Sequence, residues 1–170
     1  MKLSIRPEGK EDFSAIRRIN RKAFDTDAEA NLVDALRKSN VEIISLVAEY
    51  NDIPVGHILF SEVGLDGHCP DIRLSGLAPM AVLPENQRKG IGSQLVVEGI
   101  KACRLAGYSA VVVLGHPQFY PRFGFMPSVN FKIRSEFDVP DDVFMIKELR
   151  KDALTNCSGT IMYHAAFKQF

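Results

Sequence analysis

The chain has 170 residues, 46% of them hydrophobic, which is enough for one domain of ordinary size with a continuous core. Its 21 Lys and Arg residues balance its 21 Asp and Glu residues, which argues against nucleic acid or an anionic membrane as a partner attracted by overall charge. We therefore expect a single domain over residues 1–170, in which any anion site is local and the function resides in a pocket.

The cysteines and the N-terminal segment bear on the compartment. Cys69, Cys103 and Cys157 are odd in number and have no close spacing, which disfavours both a disulfide framework and a zinc site. Residues 1–8 carry charges where a signal peptide needs apolar residues, and no run approaches the ~18 apolar residues of a membrane span. We expect a cytoplasmic protein that holds no metal.

The N-terminal segment predicts one strand followed by two helices. Residues 3–6 alternate like a short strand. Apolar positions then recur at near-helical spacing from Phe13 to Phe24, and again from Asp27 to Lys38. Four basic residues lie mostly on the polar side of the first helix, and we interpret them as a solvated face rather than a binding patch. They are Arg17, Arg18, Arg21 and Lys22.

A hairpin and a third strand are predicted next. Apolar, β-branched runs extend from Ile43 to Tyr50 and from Ile53 to Val63, and the Asn51-Asp52 pair between them suits a tight hairpin turn. A polar loop is expected over residues 64–71. The apolar run over residues 73–83 then predicts another strand.

The predicted strand over residues 73–83 begins a βαβ unit. Its strand contains Pro79, which cannot donate a ladder hydrogen bond and so implies an edge, a bulge or a place where neighbouring strands part. Residues 92–106 have helical periodicity, and Gly107 stands where the helix would end. Ala110 to Leu114 is Val-rich, as expected of a strand that is covered on both faces. Two later runs are also predicted as strands, Val143 to Leu149 and Gly159 to Phe167.

The loop that opens the helix has the residues of an anion cradle. It reads Pro84-Glu85-Asn86-Gln87-Arg88-Lys89-Gly90-Ile91-Gly92-Ser93. A helix start presents backbone N–H groups and a partial positive charge, and glycines let an anion approach the backbone. From the residues alone, the loop is either a phosphate site or a strand-to-helix turn.

Two classes of phosphate loop do not fit these residues. The chain has no Gly-x-x-x-x-Gly-Lys-Ser/Thr run, so a Walker loop is excluded. A dinucleotide fingerprint needs a third glycine where Leu95 stands and an acidic residue where Leu114-Gly115 stand, so NAD binding is disfavoured.

Two segments resemble the GNAT superfamily of acetyltransferases. The loop Gln87-Arg88-Lys89-Gly90-Ile91-Gly92 is similar to its cofactor motif, Gln/Arg-x-x-Gly-x-Gly/Ala. The segment Phe119-Tyr120-Pro121-Arg122-Phe123-Gly124-Phe125 resembles one in a bacterial branch of predicted N-acetyltransferases. The resemblance covers nearly the whole chain. It implies an α/β (α+β) fold, with an open mixed β-sheet flanked by helices and a splayed pair of central parallel strands.

The resemblance also implies a donor site for acetyl-CoA, whose pantetheine arm enters where the strand of Pro79 parts from its neighbour. The cofactor-binding residues are then Met80, Ala81, Val82, Gln87, Arg88, Lys89, Gly90, Ile91, Gly92, Ser93 and Phe119. Tyr120 is implied to direct its hydroxyl at the cofactor sulfur. His116 follows the fifth strand and is the candidate base; Glu49, Glu62 and ordered water are its rivals.

The resemblance therefore implies an N-acetyltransferase that moves acetyl from acetyl-CoA to a primary amine by direct attack in a ternary complex. The acceptor is a small molecule or a protein amine, and the chain is a monomer or a homodimer. Two alternatives stay open at this point. One is a non-catalytic acyl-CoA sensor of the same fold, and the other is a nucleotide-dependent protein built on the same βαβ unit.

Overall fold

The computed structural model describes residues 2–169, and the chain divides into two compact units. Unit 1 comprises Met1–Ser61, Ala78–Gly99 and Ala165–Phe170, and unit 2 comprises Glu62–Leu77 and Ile100–His164. Strands β3 (Ile53–His68) and β4 (Leu74–Val82) and helix α3 (Ile91–Leu105) each have residues in both units. A single domain over residues 1–170 remains a prediction.

Unit 1 contains antiparallel strands and two amphipathic helices. Its further elements are β1 (Leu3–Pro7), α1 (Phe13–Phe24), α2 (Ala28–Lys38) and β2 (Ile43–Tyr50). Strand β2 pairs antiparallel with β1 on one side and with residues 53–61 of β3 on the other. Asn51 and Asp52 have φ values of 53° and 68°, which these residue types tolerate, so the predicted hairpin turn is confirmed.

The core of unit 1 joins the helices to these strands. The apolar positions of α1 and α2 recur every three or four residues, which places them on one face of each helix. The buried cluster comprises Ile16, Leu32, Val33, Leu36, Val47, Leu59 and Ala166. Ile91 and Leu95 of α3 lie against Gly56 of β3, with methyl groups 3.2 and 3.1 Å from where a Cβ at Gly56 would stand. The start of α3 is thereby held close to β3.

Unit 2 contains both parallel and antiparallel pairs. Its further strands are β5 (Ala110–Leu114), β6 (Met126–Pro127), β7 (Ile133–Ser135), β8 (Phe144–Glu148) and β9 (Ser158–Met162). Strand β5 pairs parallel with β4 and antiparallel with β8, which also pairs with β6. Strand β9 pairs antiparallel with the end of β3 and parallel with β7. The predicted mixed pairing is confirmed.

The parallel register of β4 with β5 ends just before Pro79. It runs from Leu74 opposite Ala110 to Leu77 opposite Val113, whereas β4 continues to Val82. The Ala78-Pro79 peptide bond is cis. Pro79 therefore lies beyond the last residue pair of the ladder with β5.

Several predicted boundaries were wrong. Residues 64–68, expected in a loop, continue β3 because they pair with β9. The strand expected over residues 159–167 ends at Met162, and Ala165–Lys168 form a 3₁₀ helix. The short strands β6 and β7 were not predicted, because they contain too few residues to show a periodicity.

The cysteine interpretation was also wrong, since Cys69 and Cys157 form a disulfide across a sequence separation of 88. The antiparallel register of β3 and β9 places His68 opposite Ser158, so the residues that flank this pair are brought together. Pairing between two strands so far apart in the sequence cannot be predicted from the spacing of the cysteines. Cys103 is free and buried. Because disulfides are rare in reducing compartments, the cysteines no longer support a cytoplasmic location, which remains a prediction.

Neither a membrane-spanning helix nor a metal cluster is found in the part of the chain that the structure describes. No helix within residues 2–169 is both long and apolar enough to cross a membrane. The same residues contain no group of three or more His, Cys, Asp and Glu side chains arranged to hold a metal ion.

Candidate functional site

The predicted anion loop lies in unit 1, and its first part is tied to β3 and to the end of β4. The Leu83 N–H donates to the carbonyl of Val55 on β3, at 2.9 Å. The Gln87 side chain turns back and donates through Nε2 to the carbonyl of Val82, also at 2.9 Å. These bonds fix the path of the chain between the end of β4 and the start of α3.

The start of α3 leaves backbone donors uncapped. The Gly90 carbonyl accepts the first intrahelical bond, from the Gln94 N–H at 3.1 Å, which makes Gly90 the N-cap residue. Glycine has no side chain with which to cap the N–H groups of the first turn, such as those of Ile91 and Gly92. Gly90 has φ 82°, and a Cβ built on it meets no atom within 4 Å. Open space therefore stands beside uncapped N–H donors.

The charge and the backbone shape of the loop suit an anion. Arg88 has φ 63°, so left-handed residues occur at both Arg88 and Gly90. Arg88 and Lys89 are exposed, and neither forms an ion pair with another of the described residues. The partial positive charge of the helix start adds to their own.

Met80, Ala81 and Val82 form the end of β4 that continues past its ladder with β5. Ala81 is buried, while Met80 and Val82 are half-buried, so side chains alternate across the strand. Together with the loop, these residues form a continuous segment of unit 1.

Tyr120 lies in unit 2 at the start of the 3₁₀ helix Tyr120–Phe123. Its ring is buried, with 7% exposed, and makes edge-to-face contacts with Phe119 and Phe125 at centroid distances of 5.0 and 5.6 Å. Gly115 completes this packing, because a Cβ there would overlap Tyr120 Cε2 and stand 2.9 Å from Cδ2. The ring is thus fixed on several sides.

The Tyr120 hydroxyl is available although the ring is enclosed. No hydrogen bond to it is present within residues 2–169, and it is not among the fully enclosed polar atoms that lack a partner, which are Asn20 Oδ1 and Ser61 Oγ. Burial raises the pKa of Tyr120 to about 12. The phenol is therefore a protonated donor at neutral pH with no competing acceptor.

His116 is close to Tyr120 in the same turn. Its carbonyl accepts from the N–H groups of Phe119 and Tyr120, at 3.1 and 3.4 Å, and its side chain is exposed. Arg122 packs over the Phe119 ring at 4.7 Å and donates to the Phe119 carbonyl at 3.3 Å. Arg122 therefore holds the turn together.

The two glutamates named as rival bases are both held by arginines. Glu49 accepts from Arg6 Nε, and the same guanidinium binds Asp12 at 2.6 Å. Glu62 accepts from Nε and Nη2 of Arg73 at 3.3 and 3.2 Å. Each carboxylate is therefore already engaged by a guanidinium group.

A buried polar chain in unit 1 was missed by the sequence analysis. His57 on β3 is completely buried between Ser45 and Asn20, and Ser45 in turn donates to Glu8, which pairs with Arg37. The available signal was a histidine inside the apolar run of residues 53–63. Its setting is that of a structural network rather than of a reactive group.

Comparison with known proteins identifies the family. Residues 42–127 match the family model described as "Acetyltransferase (GNAT) domain". The chain is also 36% identical over 167 residues to YhbS of Escherichia coli K12, an uncharacterized N-acetyltransferase, covering 98% of this chain and 99% of YhbS. The chain belongs to the GNAT family.

Solved structures agree with this membership. The crystal structure of E. coli YhbS in complex with CoA has a TM-score of 0.93 and 34% identity, covering 100% of this chain and 94% of that one. A GNAT family acetyltransferase from Brucella melitensis, in complex with acetyl-CoA, has a TM-score of 0.78 and 33% identity, with 98% of both chains covered.

Family membership confirms the predicted fold, an open mixed sheet flanked by helices, and the predicted class of acyl-CoA-dependent N-acetyltransferase. Membership of this family excludes the alternative of a nucleotide-dependent protein. The site residues themselves remain predictions. In this GNAT protein they fall into two groups, the β4 end and the loop in unit 1, and His116, Phe119 and Tyr120 in unit 2.

Proposed function

We propose that this GNAT protein transfers acetyl from acetyl-CoA to a primary amine by direct attack in a ternary complex. The observation that carries the proposal is the uncapped start of α3 at Gly90, with its left-handed backbone and adjoining open space. Its support from the family is that the E. coli and B. melitensis relatives were solved with CoA and acetyl-CoA.

The loop and the end of β4 serve as the donor site in this proposal. The backbone N–H groups from Arg88 through Ser93 bind the pyrophosphate oxygens, with the side chains of Arg88 and Lys89 adding charge. Gln87 fixes the loop by its bond to the Val82 carbonyl. The backbone of Met80, Ala81 and Val82 receives the amide groups of the pantetheine arm as an added strand would. Phe119 contributes apolar surface.

Tyr120 stabilises the leaving thiolate. Bound acetyl-CoA supplies an activated thioester, and the Tyr120 hydroxyl donates a hydrogen bond to the sulfur as it becomes anionic. With the pKa of Tyr120 at about 12 and a thiol reference near 8.5, full proton transfer is uphill by about 5 kcal/mol. A charge-assisted hydrogen bond is therefore favoured over complete protonation by Tyr120.

His116, or a water molecule beside it, accepts the proton of the attacking amine. The ion pairs of Glu49 and Glu62 leave His116 as the better candidate among the residues named. Direct transfer is favoured over a covalent intermediate because Cys103 is enclosed, with its pKa raised to about 12 by burial, and so carries no thiolate at neutral pH.

An amine panel with acetyl-CoA tests turnover. We expect amine-dependent release of free thiol, measured with a chromogenic thiol reagent. A second candidate function is an acyl-CoA sensor without turnover. The ion pairs of Glu49 and Glu62 favour it, because they leave neither carboxylate unpaired to act as a base. CoA binding without amine-dependent thiol release would support the sensor and contradict catalysis.

An isosteric pair of substitutions at Gly90 tests the donor site. Asp and Asn both tolerate a left-handed backbone and differ in charge, so Gly90→Asp places an anion beside the uncapped N–H groups while Gly90→Asn does not. We expect calorimetry to show CoA affinity at least ~100-fold weaker in Gly90→Asp than in Gly90→Asn, a difference of about 2.7 kcal/mol. Equal affinities in the two variants would exclude this loop as the pyrophosphate site.

A further inference from the structure

A cavity in unit 2 is lined by polar groups to which the proposed mechanism gives no role. It has a volume of about 360 Å³, within the roughly 300–1,000 Å³ of small-molecule sites. Its lining comes from residues 128–129, residues 134–141 and Phe144, all in unit 2. Six of these eleven residues are buried or half-buried, so the 128–144 cavity is a recess rather than an exposed face.

The 128–144 cavity lies at the end of β5 that leads to the proposed catalytic residues. Phe144, the first residue of β8, stands opposite the last residue of β5. The next residue, Gly115, donates its N–H to the Val143 carbonyl at 2.9 Å. His116 and Tyr120 follow in the same turn of unit 2. The cavity and these two residues therefore share one end of the β5–β8 pair.

The charge of the lining is negative, although the whole chain is neutral. Three carboxylates, those of Glu136, Asp138 and Asp141, stand against the guanidinium of Arg134. Glu136 accepts from the backbone N–H of Tyr163. Asp138 and Asp141 form no hydrogen bond or ion pair with other residues of the range 2–169, so neither of them caps a turn or is neutralised by an arginine. The cavity therefore favours a cation.

A buried hydroxyl in the lining also lacks a partner. Ser128 is only 1% exposed, and its Oγ forms no hydrogen bond within residues 2–169. It is not among the fully enclosed polar atoms that lack a partner, which are Asn20 Oδ1 and Ser61 Oγ. The small exposed area of Ser128 is therefore at its hydroxyl, which faces the cavity that it lines. A polar group of a ligand supplies the missing partner.

Two aromatic side chains give the cavity an apolar part. Phe144 is buried, and the half-buried Phe137 ring lies against Tyr163 at a centroid distance of 5.4 Å. Methylene groups lose contact with water against such rings, and aromatic faces attract cations. A short alkyl chain with a positively charged end matches this combination of carboxylates, hydroxyl and apolar surface.

We propose that the 128–144 cavity binds the acceptor, and that Asp138 and Asp141 select an amine with a second cationic group, such as an aliphatic diamine. The inference rests on the proposed function, because it names the acceptor of that reaction. One ammonium group is held by the two carboxylates and by the Ser128 hydroxyl. The alkyl chain packs on Phe137 and Phe144.

The other amino group of the diamine is the nucleophile. Its nitrogen attacks the carbonyl carbon of the thioester, so that a C–N bond forms and the C–S bond breaks. The thiolate leaves with the electron pair of that bond, and the proton lost by the nitrogen passes to His116 or to water. The products are the N-acetyl diamine and, after the thiolate takes up one proton, free CoA. The first ammonium group does not react, because the carboxylates keep it protonated.

Three amines of matched length test the selection. Butylamine, 1,4-diaminobutane and 4-aminobutanoate differ in the group at the far end, which is apolar, cationic or anionic. We expect kcat/KM for 1,4-diaminobutane to exceed that for butylamine by about tenfold or more, with 4-aminobutanoate the poorest, in assays of thiol release at low ionic strength. Equal values for the three amines, or a preference for 4-aminobutanoate, overturn the proposal.

Charge-matched double variants localise the selection. Asp138→Asn with Asp141→Asn removes the proposed contacts, and Asp66→Asn with Asp142→Asn removes the same charge from exposed positions of unit 2 outside the lining. We expect the first variant to raise the KM for 1,4-diaminobutane about tenfold or more with little change for butylamine, and the second to resemble wild type. Equal losses in the two variants overturn the proposal, because they indicate general electrostatic attraction. If the first variant does not fold, the single Asp138→Asn and Asp141→Asn variants replace it.

Ser128→Ala separates a ligand contact from a structural role. We expect the KM for 1,4-diaminobutane to rise severalfold. The melting temperature should be no lower than that of wild type, because the hydroxyl has no partner among the described residues. A lower melting temperature with an unchanged KM would overturn Ser128 as a ligand contact.

Failure of this inference differs from failure of the proposed function. Thiol release at equal rates with the three amines overturns the selection and leaves acetyl transfer standing. If no amine supports thiol release, calorimetry with 1,4-diaminobutane in the presence of CoA decides. Binding that the Asp138→Asn, Asp141→Asn variant loses supports the cavity and contradicts acetyl transfer, whereas no binding overturns both.

Discussion

The stability of unit 1 is expected to depend on pH through His57. Its Nδ1 lies 3.2 Å from Asn20 Nδ2, and its Nε2 lies 2.9 Å from Ser45 Oγ. The Asn20 amide also donates to the Ile16 carbonyl, which fixes its NH₂ group toward His57. Nδ1 therefore accepts and Nε2–H donates, so the network fits the neutral imidazole. Burial, with a smaller contribution from the charge of Arg37, lowers the pKa of His57 to about 3.

The sign and size of the effect follow from linkage. Below its ordinary pKa of about 6.5, His57 binds a proton in the unfolded chain but not in the folded one. Stability contributed by His57 is therefore complete above about pH 6.5 and is lost as the pH falls toward 3. Between pH 8 and pH 5 the loss is about 2 kcal/mol, because the unfolded chain is almost fully protonated at His57 by then.

Urea unfolding of wild type and His57→Gln at pH 8 and pH 5 measures this loss. The glutamine variant does not titrate, so wild type should lose about 2 kcal/mol more than the variant over the same interval. Asp12, whose pKa is lowered mainly by its hydrogen bonds from Arg6, acts only below its usual value of 3.8 and does not interfere. Equal losses in the two proteins would refute the reasoning. If the variant does not fold, NMR can follow the His57 ring of the wild-type protein instead. A titration of that ring between pH 8 and pH 5 would refute the reasoning.

Three other substitutions have expected outcomes. Tyr120→Phe should lower kcat roughly 10- to 100-fold with little change in the KM for acetyl-CoA, because it removes one hydrogen bond to a developing anion; an unchanged kcat in steady-state assays would contradict this role. Gly115→Ala should displace the Tyr120 ring, lowering kcat and costing about 1–3 kcal/mol of stability, whereas Gly64→Ala, with only ordinary contacts around the new Cβ, should do neither. Cys157→Ser should lower the free energy of unfolding by about 2–4 kcal/mol relative to the oxidised wild type. Reducing agent should have no effect on the urea midpoint of this variant. A variant midpoint equal to that of wild type would argue against the Cys69–Cys157 bond.

Local periodicity predicted most of the elements because their burial follows one face. Helices α1 and α2 have apolar residues at helical spacing, and β2 and β5 are continuous apolar runs, so their bounds were predicted to within a residue or two. The end of β3 was missed because it is polar and becomes a strand only through its pairing with β9. The periodicity of apolar residues reflects burial, and it does not reveal a partner strand that is distant in the sequence.

Within the candidate site, the sequence by itself predicted an anion loop. The loop has glycines at positions 90 and 92, with basic residues before them and a helical run after them, which fits either an anion site at a helix start or a plain turn. The resemblance of the motif to its family favoured the anion site. The segment at Tyr120 was likewise identified from its order of residues. These features are local, so they can be read without knowing what packs against them.

Tertiary structure decided which groups are available to act. It paired Glu49 with Arg6 and Glu62 with Arg73, joined Cys69 to Cys157, and enclosed His57. Each of these outcomes depends on residues distant in the sequence, because pairing and burial belong to the packed chain and not to any one segment of it.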